Sequence, residues 1–382
     1  MITYLTSRLT VAISLLIVAS CGNPHPEGQQ GNTISAKYDA FVPGLLDERG
    51  VSGVAIAVIQ NGVPIWSKGY GYADRNSRRE VTSDTRFNIG SVSKTLTAWA
   101  VMALVEKGIV EIDAPADRYL KRWHLPQSEF DNNQITVRRL LNHTSGLSTY
   151  PISESLNAYR PGSPMPSIVE ALSRSYGSFG KLRLVQQPGS SFQYNNGNYA
   201  ILQLLIEDVT SESFSVFMQR TIFDPLGMRH TGYQRTSSVA MAYGEGNEPR
   251  QPFDYVEQAS GGIFTTVSDL ATFVAAIDSS DRSLPGRDVL KPSTVEEMIR
   301  PSKETNHQYG LGYQMAPLKK NGYFVAHQGA NDGFRSLFLF DGEKRSGIVI
   351  LTNSDVGGRI IADIVCVWAK FVGIELSNPC PK

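Results

Sequence analysis

The segments of this 382-residue chain that read as β-strands lie near its two ends, and that separation limits the folds open to it. Near the start, Val54–Ile59 and Val63–Trp66 flank Gln60-Asn61-Gly62, and an Asn-Gly between two apolar runs favours a tight hairpin. Far downstream, Tyr323–Ala326, Phe334–Phe340 and Gly347–Leu351 are again short and rich in β-branched and aromatic residues, the last two separated by an Asp341-Gly342 turn. The two groups are expected to join in one antiparallel sheet. Arg359 to Phe371 places Ile361, Ile364, Val365, Trp368 and Phe371 at helical spacing, which gives one apolar face to lay on that sheet. Residues 115–250 are loop-rich with helical patches such as Tyr199 to Glu207 and read as an inserted helical lobe. The expected class is therefore α+β, with a sheet lobe from residues 35–114 and 251–382.

The first residues are expected to serve export rather than the fold. Arg8 is followed by an apolar stretch, Leu9 to Ser20, of signal-peptide length and too short to span a bilayer as a helix. Residues 1–20 are thus expected to be a signal peptide. Residues 21–34 carry Pro and Gly without apolar periodicity and are expected to be a tether, with His25 solvated in it.

Charge excludes one class of partner: 36 basic and 36 acidic residues balance, and no Lys/Arg run stands out that could follow a phosphate backbone. The chain is expected to take a small-molecule or peptide substrate and no nucleic acid. With neither C-x-x-C nor H-E-x-x-H, no metal site and no cofactor are expected. Of three cysteines, Cys366 and Cys380 could staple the C-terminal tail to the last helix or remain thiols; spacing alone does not decide.

The most informative stretch is Phe87-Asn-Ile-Gly-Ser-Val-Ser-Lys-Thr-Leu-Thr-Ala98, where a Gly and two Ser precede a helical run reaching Gly108. Ser91 is expected at or near that helix's start. Three residues on, Lys94 shares its face, so a hydroxyl and an amine can exchange a proton. The free N–H groups of a helix start favour negative charge developing on an acylated oxygen. Lys94 must then be at least partly neutral, which burial or a neighbouring cation brings about. Alone, a Ser-x-x-Lys reads more simply as an N-cap followed by an exposed lysine. Two further elements change that: Tyr194-Asn195-Asn196, offering a phenol and an amide, and His327-Gln328-Gly329 at the end of a strand, where glycine permits close approach of a ligand.

Together, Ser91-Val92-Ser93-Lys94, Tyr194-Asn195-Asn196 and His327-Gln328-Gly329 resemble the three motifs of the serine β-lactamase and penicillin-binding-protein superfamily. The resemblance is to its class C-like branch, which also holds D-aminopeptidases, D,D-carboxypeptidases and esterases. Leu140–Leu147, Asp224–Met228, Gly261–Thr266 with Ser268-Asp269-Leu270, and Tyr309–Tyr313 extend it over about residues 35–370. It implies that Ser91 is the nucleophile, with Lys94 and Tyr194 sharing the proton traffic. It also implies that Asn196 holds the acyl side and that the N–H groups of Ser91 and Ala330, just after Gly329, form the oxyanion hole. His327 would stand near the leaving group. His143 is assigned to a shared structural loop. Val18-Ala19-Ser20-Cys21 resembles a lipobox, which implies a lipoprotein of the cell envelope anchored through Cys21.

His327 stands where β-lactamases of this superfamily usually carry Lys, and a histidine is cationic only part of the time near neutral pH. This points towards cleavage of an amide, peptide or ester bond. Weak β-lactam hydrolysis, or a non-turnover sensor of cell-wall peptides, are the alternatives. A Ser-His-Asp hydrolase is set aside, because no Ser has Gly both two before and two after it.

Overall fold

The computed structural model describes residues 26–148, 150, 158–176, 180–284, 286–319, 322–378 and 380. The expected signal peptide, Cys21 and His25 lie outside these residues. A helix α1, Pro26–Arg49, starts inside the stretch expected to be an unfolded tether, and Ile34 and Tyr38 on it are fully buried. The tether reading is corrected from residue 26 onward. The cause is tertiary: α1 has a surface to pack on that its polar first turns do not announce.

That surface is a seven-stranded antiparallel sheet. The early strands are β1 (Gly53–Gln60), β2 (Val63–Asp74) and β3 (Arg79–Glu80); the late ones are β4 (Gln314–Pro317), β5 (Tyr323–Asn331), β6 (Phe334–Asp341) and β7 (Ser346–Thr352). Their order is β4-β5-β6-β7-β1-β2-β3, so β1 and β7 close the sheet from opposite ends of the chain, with Val54 opposite Thr352 and Ile59 opposite Gly347. Asn61 and Gly62, at φ +53° and +75°, turn β1 into β2, the backbone that a two-residue hairpin loop needs.

β1 is buried on both faces, which is why its sequence is continuously apolar rather than alternating. On one face Val54, Ile56, Val58, Ile348 and Ile350 pack with α1 and with the C-terminal helix. On the other, Ala55, Ala57, Val349, Leu351 and Phe338 belong to the larger core, where the helix Val267–Ala275 packs on β1, β2 and β7 and α2 (Ser93–Glu106) lies in the same cluster. A helix α3, Asn196–Thr210, then a short α4, Gln258–Gly261, and α5, Val267–Ala275, complete the layer around α2.

The C-terminal helix α6, Gly358–Val372, has the expected amphipathic face, rotated slightly. Ile360, Ile364 and Trp368 are fully buried, whereas Ile361 and Phe371 sit half-exposed at its flanks. Cys366 and Cys380 are disulfide-bonded with Cα atoms 5.7 Å apart, stapling the tail to α6.

Candidate active site

The site forms where β5 meets the turn before α2. Gly90–Val92 make a single 3₁₀ turn, and Ser91 lies in it, just ahead of α2. Two glycines let strand and turn approach: a Cβ on Gly90 would sit 2.7 Å from the Ala330 nitrogen, and one on Gly329 would sit 2.0 Å from the Ile89 oxygen. Ser336 Oγ donates to the Ile89 carbonyl at 2.8 Å and ties β6 to the same turn. The Gln328 N–H donates away from β6, to Gln314 Oε1 at 3.2 Å. Alternation then aims the Ala330 N–H out of the same edge, towards Gly90 and Ser91.

Lys94 is fully buried on the first turn of α2. Its Nζ lies 3.0 Å from Ser91 Oγ and donates to the Ser260 carbonyl of α4 at 2.8 Å. No carboxylate pairs with it among the described residues, and burial holds the amine well below its usual range. Tyr194 covers it: Nζ is 5.0 Å from the centre of that ring. Tyr194 as a whole is 38% exposed, but its hydroxyl is enclosed. Burial pushes the phenol up, against the hydrogen bond it makes with Ser91.

His327 differs from expectation. It is fully buried, and it is its neighbours Gln328, Gly329 and Ala330 that line the cleft. Its Nδ1 is 2.7 Å from the Gln328 carbonyl, which only accepts, so Nδ1 carries the proton and Nε2 accepts from Tyr309 Oη at 2.9 Å. Burial foremost, reinforced whenever Lys94 is protonated, pushes the imidazole down to about 3. His327 is therefore neutral throughout the physiological range, not part-time cationic.

Asn195 caps α3, accepting from the Gly197 N–H at 2.9 Å and donating to the Leu147 and Ser148 carbonyls. Asn196, the first residue of α3, is half-buried and is not among the residues lining the cleft. The cleft itself, of about 880 Å³, is lined by Ser91, Tyr194, Phe192 and Tyr309 together with the apolar Met315, Pro317 and Ile361. A second cavity of about 790 Å³ around Arg86, Tyr233 and Arg235 contains none of the expected site residues.

Several site residues carry no signal in the motifs. Asn88 accepts from the Gly90 N–H at 2.9 Å and from Asn331 Nδ2 at 2.7 Å, and both side chains donate to the Gly261 carbonyl. This brace joins β5, α4 and the nucleophile turn. Only its place within Phe87–Ala98 could have flagged Asn88. Among the described residues no group of three His, Cys, Asp or Glu could hold a metal ion.

A serine beside a buried lysine, set between an antiparallel sheet and a helical layer, is the arrangement of β-lactamase-like and penicillin-binding proteins. The chain belongs to the Beta-lactamase family, whose model matches residues 38–363. The protein of Bacillus subtilis (strain 168) named penicillin-binding protein PbpX is 28% identical over 321 residues, 82% of this chain and 73% of that protein. Protein flp of Staphylococcus aureus (strain N315) is 24% identical over 337 residues, 84% of this chain, which spans only 64% of its length. The octameric penicillin-binding protein homologue from Pyrococcus abyssi superposes with a TM-score of 0.74 at 25% identity, covering 91% of this chain and 79% of the other.

Proposed function

We propose that this protein is a serine hydrolase of the class C-like branch that cleaves an amide, peptide or ester bond through an acyl-enzyme on Ser91. The observation that carries the reading is the 3.0 Å approach of Ser91 Oγ to a fully buried lysine with no acid partner among the described residues. A neutral amine there accepts the hydroxyl proton as Oγ bonds to the substrate carbonyl carbon. The Ser91 and Ala330 N–H groups hold the resulting oxyanion. Tyr194 delivers a proton to the leaving nitrogen or oxygen as its bond to carbon breaks, and Lys94 replenishes the phenol. Water then attacks the ester by the same groups in reverse. The family resemblance assigns the acyl carbonyl to Asn196, although that residue does not line the cleft around Ser91. His327, neutral and buried, fixes the Gln328 carbonyl beside the leaving group. The third motif so lacks a cation for a carboxylate, which argues against efficient β-lactam hydrolysis.

Ser91→Ala is expected to abolish both ester hydrolysis and labelling by a fluorophosphonate probe. Labelling retained at another serine would sink the assignment. Intact-mass spectra during reaction with p-nitrophenyl acetate or a D-alanyl amide separate turnover from sensing: a transient adduct with product release is expected, and an adduct that persists favours the sensor.

We further propose an exported, membrane-anchored lipoprotein, supported by the lipobox-like sequence ending at Cys21. Cys21→Ala is expected to move the protein to the soluble fraction; unchanged membrane fractionation counts against the anchor.

A further inference from the structure

We propose that His143 is a positioning residue that sets the Tyr194 phenol over Ser91 and Lys94, an inference that rests on the acyl-enzyme reading above. His143 lies fully buried beneath that phenol, its ring centre 4.4 Å from that of Tyr194. It grips the chain on both sides of Tyr194. The Gln193 N–H donates to the His143 carbonyl at 2.9 Å, and the Asn195 N–H donates to His143 Nδ1 at 3.1 Å. Asn198 Nδ2, one turn into α3, donates to the same Nδ1 at 3.1 Å. One residue thereby fixes the main chain before and after the phenol, the start of the helix that follows, and the floor under the ring.

Histidine does more here than packing alone requires. The residue sits at φ +62°, a left-handed backbone in which His and Asn are enriched over apolar side chains. With Nδ1 accepting, the proton is on Nε2, which is buried without a partner among the described residues. Leucine or phenylalanine would fill the space without stranding an N–H. What they lack is the Nδ1 acceptor that holds Asn195. Burial also keeps the imidazole well below its usual range, so it adds no positive charge beside Lys94.

The test is a double-mutant cycle read as the second-order rate of fluorophosphonate labelling, with melting curves recorded to count only folded protein. His143→Phe keeps a ring but removes the acceptor. It is expected to slow labelling about 10–100-fold, the effect of misplacing a catalytic group by about 1 Å. In a Tyr194→Phe background, which keeps the ring contact but has no phenol to position, the same substitution is expected to change the rate less than about twofold. His143→Asn tolerates positive φ and keeps an acceptor at Oδ1, so it is expected to label faster than His143→Phe; should the latter not fold, His143→Gly, which suits the positive φ but has no acceptor, replaces it in the cycle. Three outcomes would overturn the proposal: labelling at the wild-type rate, the same loss in both backgrounds, or an Asn variant no faster than the Phe variant. Label that persists after Ser91→Ala defeats the acyl-enzyme reading; label confined to Ser91 with an additive cycle defeats only the role of His143.

Discussion

Burying an amine without an acid destabilises a protein, and Lys94 does so at the one position where a neutral amine is useful. Below the usual amine range, down to its depressed folded value, the unfolded chain holds a proton at Lys94 that the folded chain lacks. Stability from this group therefore rises with pH across that window and falls as pH drops. Lys94→Met is expected to lose fluorophosphonate labelling yet melt above wild type by about 1 kcal/mol or more, with a larger gain at pH 6 than at pH 9. Thermal scans at both pH values check this; a variant melting below wild type at pH 6 contradicts it. The pH–rate profile for acylation is expected to lack an imidazole limb between pH 5 and 8, because His327 is pushed down to about 3. The Ser91–Lys94 spacing was legible in the sequence because i and i+3 share a helix face. The burial that neutralises Lys94 and His327 was not, since it comes from Ser260, Tyr194 and Tyr309, remote in the chain.

β5 is the element on which the site depends, and its one indispensable residue by geometry is Gly329. Gly329→Ala would drive a methyl to 2.0 Å from the Ile89 oxygen, so β5 and the nucleophile turn must separate. Labelling is expected to fall at least 10²-fold with the loss of one oxyanion donor, while far-ultraviolet circular dichroism stays unchanged. A labelling rate within threefold of wild type would show that Ala330 is not that donor. Strand β5 itself, the first hairpin and α6 were readable because local pattern and burial agree there. The edge strand β4 was not, being four residues long and ending in Pro317. Nor was the early start of α1, whose packing partner is made by strands that follow it and by α6.

At the scale of the whole molecule, the sheet is a joint between the two ends of the chain, with β1 clasped between β2 and β7. A protein ending at residue 345 lacks β7 and α6, including the fully buried Trp368. It is expected to show no cooperative melting transition, with hydrophobic-dye binding in place of a folded baseline; a sharp calorimetric peak would mean that the remaining lobe folds alone. The pairing of Val54 with Thr352 also sets a clock on biosynthesis. At about 5–20 residues per second, the first hairpin waits roughly 15–60 s after it is made before its second neighbour exists. Throughout that interval β1 presents an unpaired apolar edge that any other nascent chain could extend. The yield of native protein therefore depends on how long β1 waits for β7, whether the chain emerges from the ribosome or from the export channel that the proposed signal peptide implies, a quantity that the stability of the finished fold does not influence.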